Sequence, residues 1–167
     1  MKIALVSQAY YPRYGGVGEN VAHSASVLTE LGHDVTVITG TPIGVGHAPA
    51  EAVPGLAGLK RVRVIRLGTG LLIPFQGAFV DIVVSPTLRD DLKVIWDREN
   101  FDIVHIHQPM TPTLPLLTTL QRPTKLVGTF HAAGRRSRLF DLFRPGFAWH
   151  YERIDLRLAV AQDAHGH

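Results

Sequence analysis

The chain has no cysteine. A disulfide framework and thiolate zinc sites are therefore excluded together. It has little net charge, with 17 lysines and arginines against 14 aspartates and glutamates. A balance of +3 lacks the basic surplus that marks nucleic-acid-binding domains. It also has no long apolar run: every apolar stretch falls far short of the ~20 residues of a membrane span. The first one, Ile3–Val6, is shorter than a secretory core and leads straight into patterned sequence. These absences predict a soluble protein whose membrane contact is at most peripheral, and they are compatible with a reducing cytosol. What the chain does have is apolar mass: 46% of its 167 residues are hydrophobic, enough for one domain-sized core.

Ile3–Val6 shows no polar alternation, as a strand buried on both faces of a parallel sheet requires. Tyr10 to Gly18 carries turn residues and reads as a loop. From Glu19 the period changes: Val21, Ala25, Leu28 and Leu31 share one helical face, and Gly32 supplies a stop. Asp34–Thr39 predicts a second strand, which makes the opening a β-loop-α-β unit with a right-handed crossover. Residues 40–59, rich in glycine, proline and alanine, read as loop. Lys60–Arg66 mixes basic and apolar residues, the pattern of a peripheral strand whose charges guard an exposed edge. Residues 68–85 mix turn residues with apolar runs and point to neither element. Leu88, Leu92, Ile95 and Trp96 then form a helical stripe, with Pro86 in the first turn and Thr87 and Asp90 in a capping-box pattern. Phe101–His107 and Lys125–Phe130 read as strands, Thr113–Leu120 as a helix, and Leu158–Ala161 as a last strand.

The order predicts an α/β fold: a Rossmann-like, open, mostly parallel sheet with helices on both faces. Ligands of such sheets sit at the carboxyl ends of the strands, where Ser7–Gly18, His107–Pro109 and Thr129–Gly134 converge. Gly15-Gly16-Val17-Gly18 follows the first strand and opens the first helix. Glycines there let backbone N–H groups approach a phosphate, or else serve a tight turn at positive φ. The motif is neither a P-loop nor a full dinucleotide fingerprint, because Val21 stands at the third glycine position. His105 and His107 share a strand face and His131 follows the next strand. No carboxylate accompanies them at ligand spacing, which favours backbone-satisfied histidines over a metal site. His131, just past its strand, is placed to hydrogen-bond a sugar hydroxyl or a developing charge, or simply to order its loop. Gly134 to Arg144 combines four arginines with four large apolar residues. That pattern suits phosphate, an anionic membrane surface or an ordinary solvated helix.

Four segments in order resemble the N-terminal half of retaining glycosyltransferases of family 4, which have the GT-B fold. They are the opening strand with Pro12 through Gly18; Leu31-Gly32-His33-Asp34-Val35-Thr36-Val37; Phe101-Asp102-Ile103-Val104-His105-Ile106-His107-Gln108-Pro109; and Gly128-Thr129-Phe130-His131-Ala132. The resemblance covers essentially the whole chain and is closest to phosphatidylinositol mannosyltransferases. Ile73-Pro74-Phe75-Gln76-Gly77 is similar to their acceptor segment, with Phe for Tyr and Gln for Asn.

The resemblance implies a hexosyl transfer, mannosyl or glucosyl in type, from a nucleotide-sugar to a phosphorylated, polyol or lipid-linked acceptor, without cofactor or divalent metal. It implies that Gly15 and Gly16 meet the donor diphosphate at the reaction centre. His131 would act there as an orienting and electrostatic group. Gln76, Thr129, Arg135, Arg136 and Arg138 would face the acceptor, with Tyr14, His107 and Gln108 in the crevice. It further implies that residues 1–167 are an acceptor-side domain, with the donor-binding C-terminal domain absent. Such a chain is expected to be inactive alone and to self-associate through its uncovered crevice face. The competing expectation is a free-standing phospholigand-binding or assembly module without catalysis.

Overall fold

The computed structural model describes residues 1–13, 15–43, 59, 61–75, 78–131, 146 and 148–160. In chain order the elements are β1 (Lys2–Val6), α1 (Gly16–Glu30), β2 (Asp34–Pro42), β3 (Arg63–Phe75), β4 (Ala78–Val84), α2 (Leu88–Glu99), β5 (Ile103–His107), α3 (Leu114–Gln121), β6 (Lys125–Phe130) and β7 (Leu156–Ala159). The strands form one sheet in the order β4-β3-β2-β1-β5-β6-β7. Every neighbouring pair is parallel except β3 and β4.

β1 lies in the middle of this sheet, paired to β2 on one side and β5 on the other. Its alternate residues therefore enter two cores. Ile3 and Leu5 join Val35 and Val37 against Val21, Ala22 and Ala25 of α1. Ala4 and Val6 join Val104, Ile106 and Leu126 against Leu88, Leu92 and Trp96 of α2 and Leu114 of α3. One helix thus covers one face and two cover the other, which explains why β1 reads as an unbroken apolar run.

Helix boundaries follow local chemistry. α1 ends before Leu31, which is left exposed although it continues the apolar stripe. Gly32, at φ +87°, turns the chain, and His33 N–H reaches back to Leu28 C=O at 3.1 Å. At α2 the expected capping box does not form. The Thr87 hydroxyl donates to the Asp91 carboxylate at 2.8 Å, while the Asp90 and Asp91 N–H groups donate to the Thr87 carbonyl. Trp96 Nε1–H donates to Gln121 Oε1 at 2.6 Å and ties α2 to α3.

Residues 68–85 become the second half of β3, the hairpin and β4. Their turn-like composition has a specific cause. Leu67 pairs with Gly40 and Thr69 with Thr41, so Gly68 is an extra residue in the ladder, at φ +56°. A Cβ there would stand 2.4 Å from Val84 O and 2.7 Å from Ser85 Cβ. Gly68→Ala is therefore expected to destabilise the fold by at least about 2 kcal/mol. A urea-unfolding shift under about 0.5 kcal/mol would contradict the bulge assignment.

The edge-strand reading of Lys60–Arg66 is corrected in part. β4 pairs with β3 only from Thr69 onward, so among the described residues no strand pairs with the other side of the first half of β3. Its arginines, however, are engaged by the protein. Arg63 bonds Glu99 and Thr36, and Arg66 bonds the carbonyls of Gly40 and Tyr11. Lys60 itself lies outside the described residues.

The last strand begins two residues before the expected Leu158, because pairing opens at Asp155. The Asp155 N–H donates to Leu126 O at 3.0 Å, and its carboxylate accepts from the Leu126 N–H at 2.8 Å. Among the described residues no helix is long and apolar enough to cross a membrane.

Candidate functional site

From β1 the chain moves outward through β2 to β4, and later returns to β1's other side with β5. The crevice of an open parallel sheet lies at such a reversal, beyond the carboxyl ends of the two strands. Ser7 and Gln8 follow β1 there, Gln108 follows β5, and His131 follows β6.

α1 starts at Gly16, with Gly15 as its cap and no side-chain cap hydrogen bond among the described residues. Gly15 has φ 167°, an extended conformation open to any residue, so the positive-φ explanation fails there. Among the described residues a Cβ added at Gly15 or at Gly16 would meet nothing within 4 Å. Neither backbone strain nor crowding by a described residue calls for glycine at these two positions. What the pair leaves is open space before unbonded N–H groups at the positive end of a helix, an arrangement suited to phosphate.

The loop carrying this pair is braced by residues that sequence reasoning did not single out. Gln8 is buried and joins three segments: its Oε1 accepts from Val83 N–H at 2.8 Å, and its Nε2 donates to Pro112 O and to Thr113 Oγ1. Arg13 pairs with Asp81 of β4 and also reaches Ile43 O. Arg66 bonds Tyr11 O beside buried Tyr10, whose phenol is pushed up to about 12, mainly by burial. The available signal for Gln8 was a polar pair, Ser7 and Gln8, placed directly after the apolar run Ile3–Val6.

The three histidines form a column. His105 and His107 point to the same face and their rings stack at 4.5 Å; His107 and His131 stack at 5.2 Å. His105 Nε2 lies 2.7 Å from Thr129 Oγ1, and His107 Nδ1 lies 2.9 Å from His131 Nε2. The register explains the geometry: His105 pairs with Val127 and His107 with Thr129, so Thr129 and then His131 continue the same face on β6. Burial, reinforced by the neighbouring imidazoles, lowers His107 to about 2 and His105 to about 4. Burial also lowers the half-buried His131. The imidazoles turn their nitrogens toward one another and toward Thr129. Among the described residues no cluster of three or more His, Cys, Asp or Glu is arranged to hold a metal ion.

The column carries a pH signature. Histidines whose ordinary pKa is 6.5 bind protons in the unfolded chain that the folded column refuses. The stability this contributes is complete above 6.5 and declines as pH falls toward 4. Unfolding free energy measured against pH should show an uptake approaching about two protons in that window. A flat profile would contradict the buried, neutral column.

The structure thus brings together His107, Thr129 and His131. Thr129 is buried, with its hydroxyl on His105, and forms the wall behind His131. Gln108 sits at the same edge with φ 54°, held by its N–H on Thr129 O at 2.8 Å. Gly15 and Gly16 lie at the carboxyl side of β1. Tyr14, Gln76, Arg135, Arg136 and Arg138 lie outside the described residues.

Comparison with known proteins gives consistent relatives. The family model described as Glycosyltransferase Family 4 matches residues 14–166. The phosphatidyl-myo-inositol mannosyltransferase of Propionibacterium freudenreichii is 30% identical over 169 residues, covering 98% of this chain and 42% of that protein. The protein of the same name from Mycolicibacterium smegmatis is 28% identical, covering 96% and 38%. The chain therefore spans about two-fifths of the length of these curated relatives. A solved sucrose-phosphate synthase domain from Thermosynechococcus elongatus superposes with TM-score 0.57 at 16% identity, covering 99% of this chain and 79% of that one. At that identity the likeness speaks to fold, and the open α/β sheet with helices on both faces is shared.

Proposed function

Because the chain belongs to glycosyltransferase family 4, we propose that it forms the acceptor-side half of a retaining hexosyltransferase, working with a donor-binding domain outside residues 1–167. The donor is a nucleotide-sugar of mannosyl or glucosyl type. The acceptor is a phosphorylated polyol, free or lipid-linked, and phosphatidyl-myo-inositol is its leading form, by similarity to relatives of that name. Contact with a membrane is peripheral.

The observation that carries this reading is the Gly15–Gly16 pair, open in front and uncrowded among the described residues. Backbone N–H groups there receive the donor diphosphate, and the helix dipole stabilises the charge it gains as the glycosidic bond breaks. The acceptor oxygen bonds the anomeric carbon on the face the diphosphate leaves. Its hydroxyl proton passes to the departing diphosphate oxygen, so configuration is retained and no metal is needed. His131 orients the transferred sugar and the acceptor hydroxyl. Gln76, Arg135, Arg136 and Arg138 are assigned to binding the anionic acceptor, on the resemblance of their segments to the family.

Incubating the full-length enzyme with nucleotide-mannose and nucleotide-glucose donors, with and without phosphatidylinositol vesicles, tests the assignment. Acceptor-dependent transfer with a retained anomer is expected. Transfer with inversion, or none with any donor, would overturn it.

A further inference from the structure

His107 Nδ1 and His131 Nε2 lie 2.9 Å apart, and one of them must donate. Both rings are neutral at pH 7, since burial holds each below its ordinary value. A neutral imidazole has one N–H and one bare nitrogen, so the choice of donor fixes both tautomers. If His131 donates, His107 carries its own proton on Nε2. That atom is buried and has no hydrogen-bonding partner among the described residues. Buried N–H groups without an acceptor are rarer than buried acceptors without a donor. If His107 donates instead, only a lone pair is left unpartnered at its Nε2. His131, accepting at Nε2, then carries its proton on Nδ1, an atom bonded to no described residue on a partly exposed ring.

We propose that His107 is a positioning residue: its buried imidazole donates from Nδ1 to His131 Nε2 and fixes His131 as the Nδ1–H tautomer, so that His131 offers the crevice a hydrogen-bond donor and no free basic lone pair. His105, stacked on the other face of His107 and bonded to Thr129, holds that ring in place. What the donor meets rests on the glycosyl-transfer reading: an oxygen of the sugar or acceptor that gains negative charge, which a fixed N–H stabilises. His131 then takes no part as a general base, because protonating its Nε2 would break the bond to His107.

Imidazole nitrogen spectra of the 15N-labelled 167-residue chain at pH 7, assigned with His131→Asn, read the tautomers directly. His131 should favour Nδ1–H by at least about ten to one, the ratio that one unsatisfied buried donor imposes. In His107→Asn the side-chain amide can still donate near the same point, and the preference should persist. In His107→Leu it should disappear. A proton on His131 Nε2 in the unmodified chain overturns the proposal, and this spectrum decides even if a variant folds poorly. An unchanged ratio in a folded His107→Leu variant overturns it equally. No sugar or nucleotide is present, so a failure of the transferase reading would leave this result standing.

Discussion

His131→Ala in the full-length enzyme is expected to lower sugar transfer by about 100- to 1,000-fold, the usual effect of deleting one preorganised donor at a reacting oxygen. The fold should survive. His131 lies after β6, half-buried, and among the described residues it contributes one ring contact and one hydrogen bond. Its removal leaves the buried His107 Nδ1–H without an acceptor, a cost of about 1–3 kcal/mol. Transfer rate and thermal midpoint measured on the same preparation separate the two effects. A collapse of activity with a small fall in midpoint is the expected pair. Near-normal transfer would remove His131 from the site.

Gly16→Val makes the opposite separation. Gly16 is the first residue of α1, and a Cβ there meets no protein atom within 4 Å. Valine is a better helix former than glycine, so stability should hold within about 0.5 kcal/mol or improve. The isopropyl group would fill the space before the helix N-terminus and keep a diphosphate from its N–H groups. Transfer should fall about 100-fold, and donor affinity with it. A folded Gly16→Val enzyme with unimpaired donor binding would show that this space is not used.

The sheet was legible because burial leaves a plain trace. β1 and β2 are apolar on both faces, and α1 and α2 carry stripes whose buried members match the pattern at Val21, Ala25, Leu88 and Leu92. The positions of His131 and Gly15–Gly16 beyond the carboxyl ends of β6 and β1 were legible, because each follows an apolar strand in the sequence. Four features were not. The β3–β4 hairpin hid behind glycines that serve a bulge and close strand contacts, at Gly68 and Gly40, where glycine normally signals a turn. Arg63 and Arg66 looked like solvent charges, because their partners Glu99, Thr36, Gly40 and Tyr11 are distant in sequence. The mutual bonding of His107 and His131 depends on the β5–β6 register, which spacing along one strand cannot supply. Gln8 belongs with these: its bonds run to Val83, Pro112 and Thr113, all over 70 residues away.

The central claim is that this chain forms the acceptor wall of the crevice. Titrating the 15N-labelled 167-residue chain with the soluble phosphorylated polyol proposed above tests it most directly. The account predicts saturable shifts at His131 and at the side-chain nitrogens of Gln76, Arg135, Arg136 and Arg138. No shift at any concentration, or shifts confined to the opposite sheet edge around Asn100 and Phe101, would contradict it.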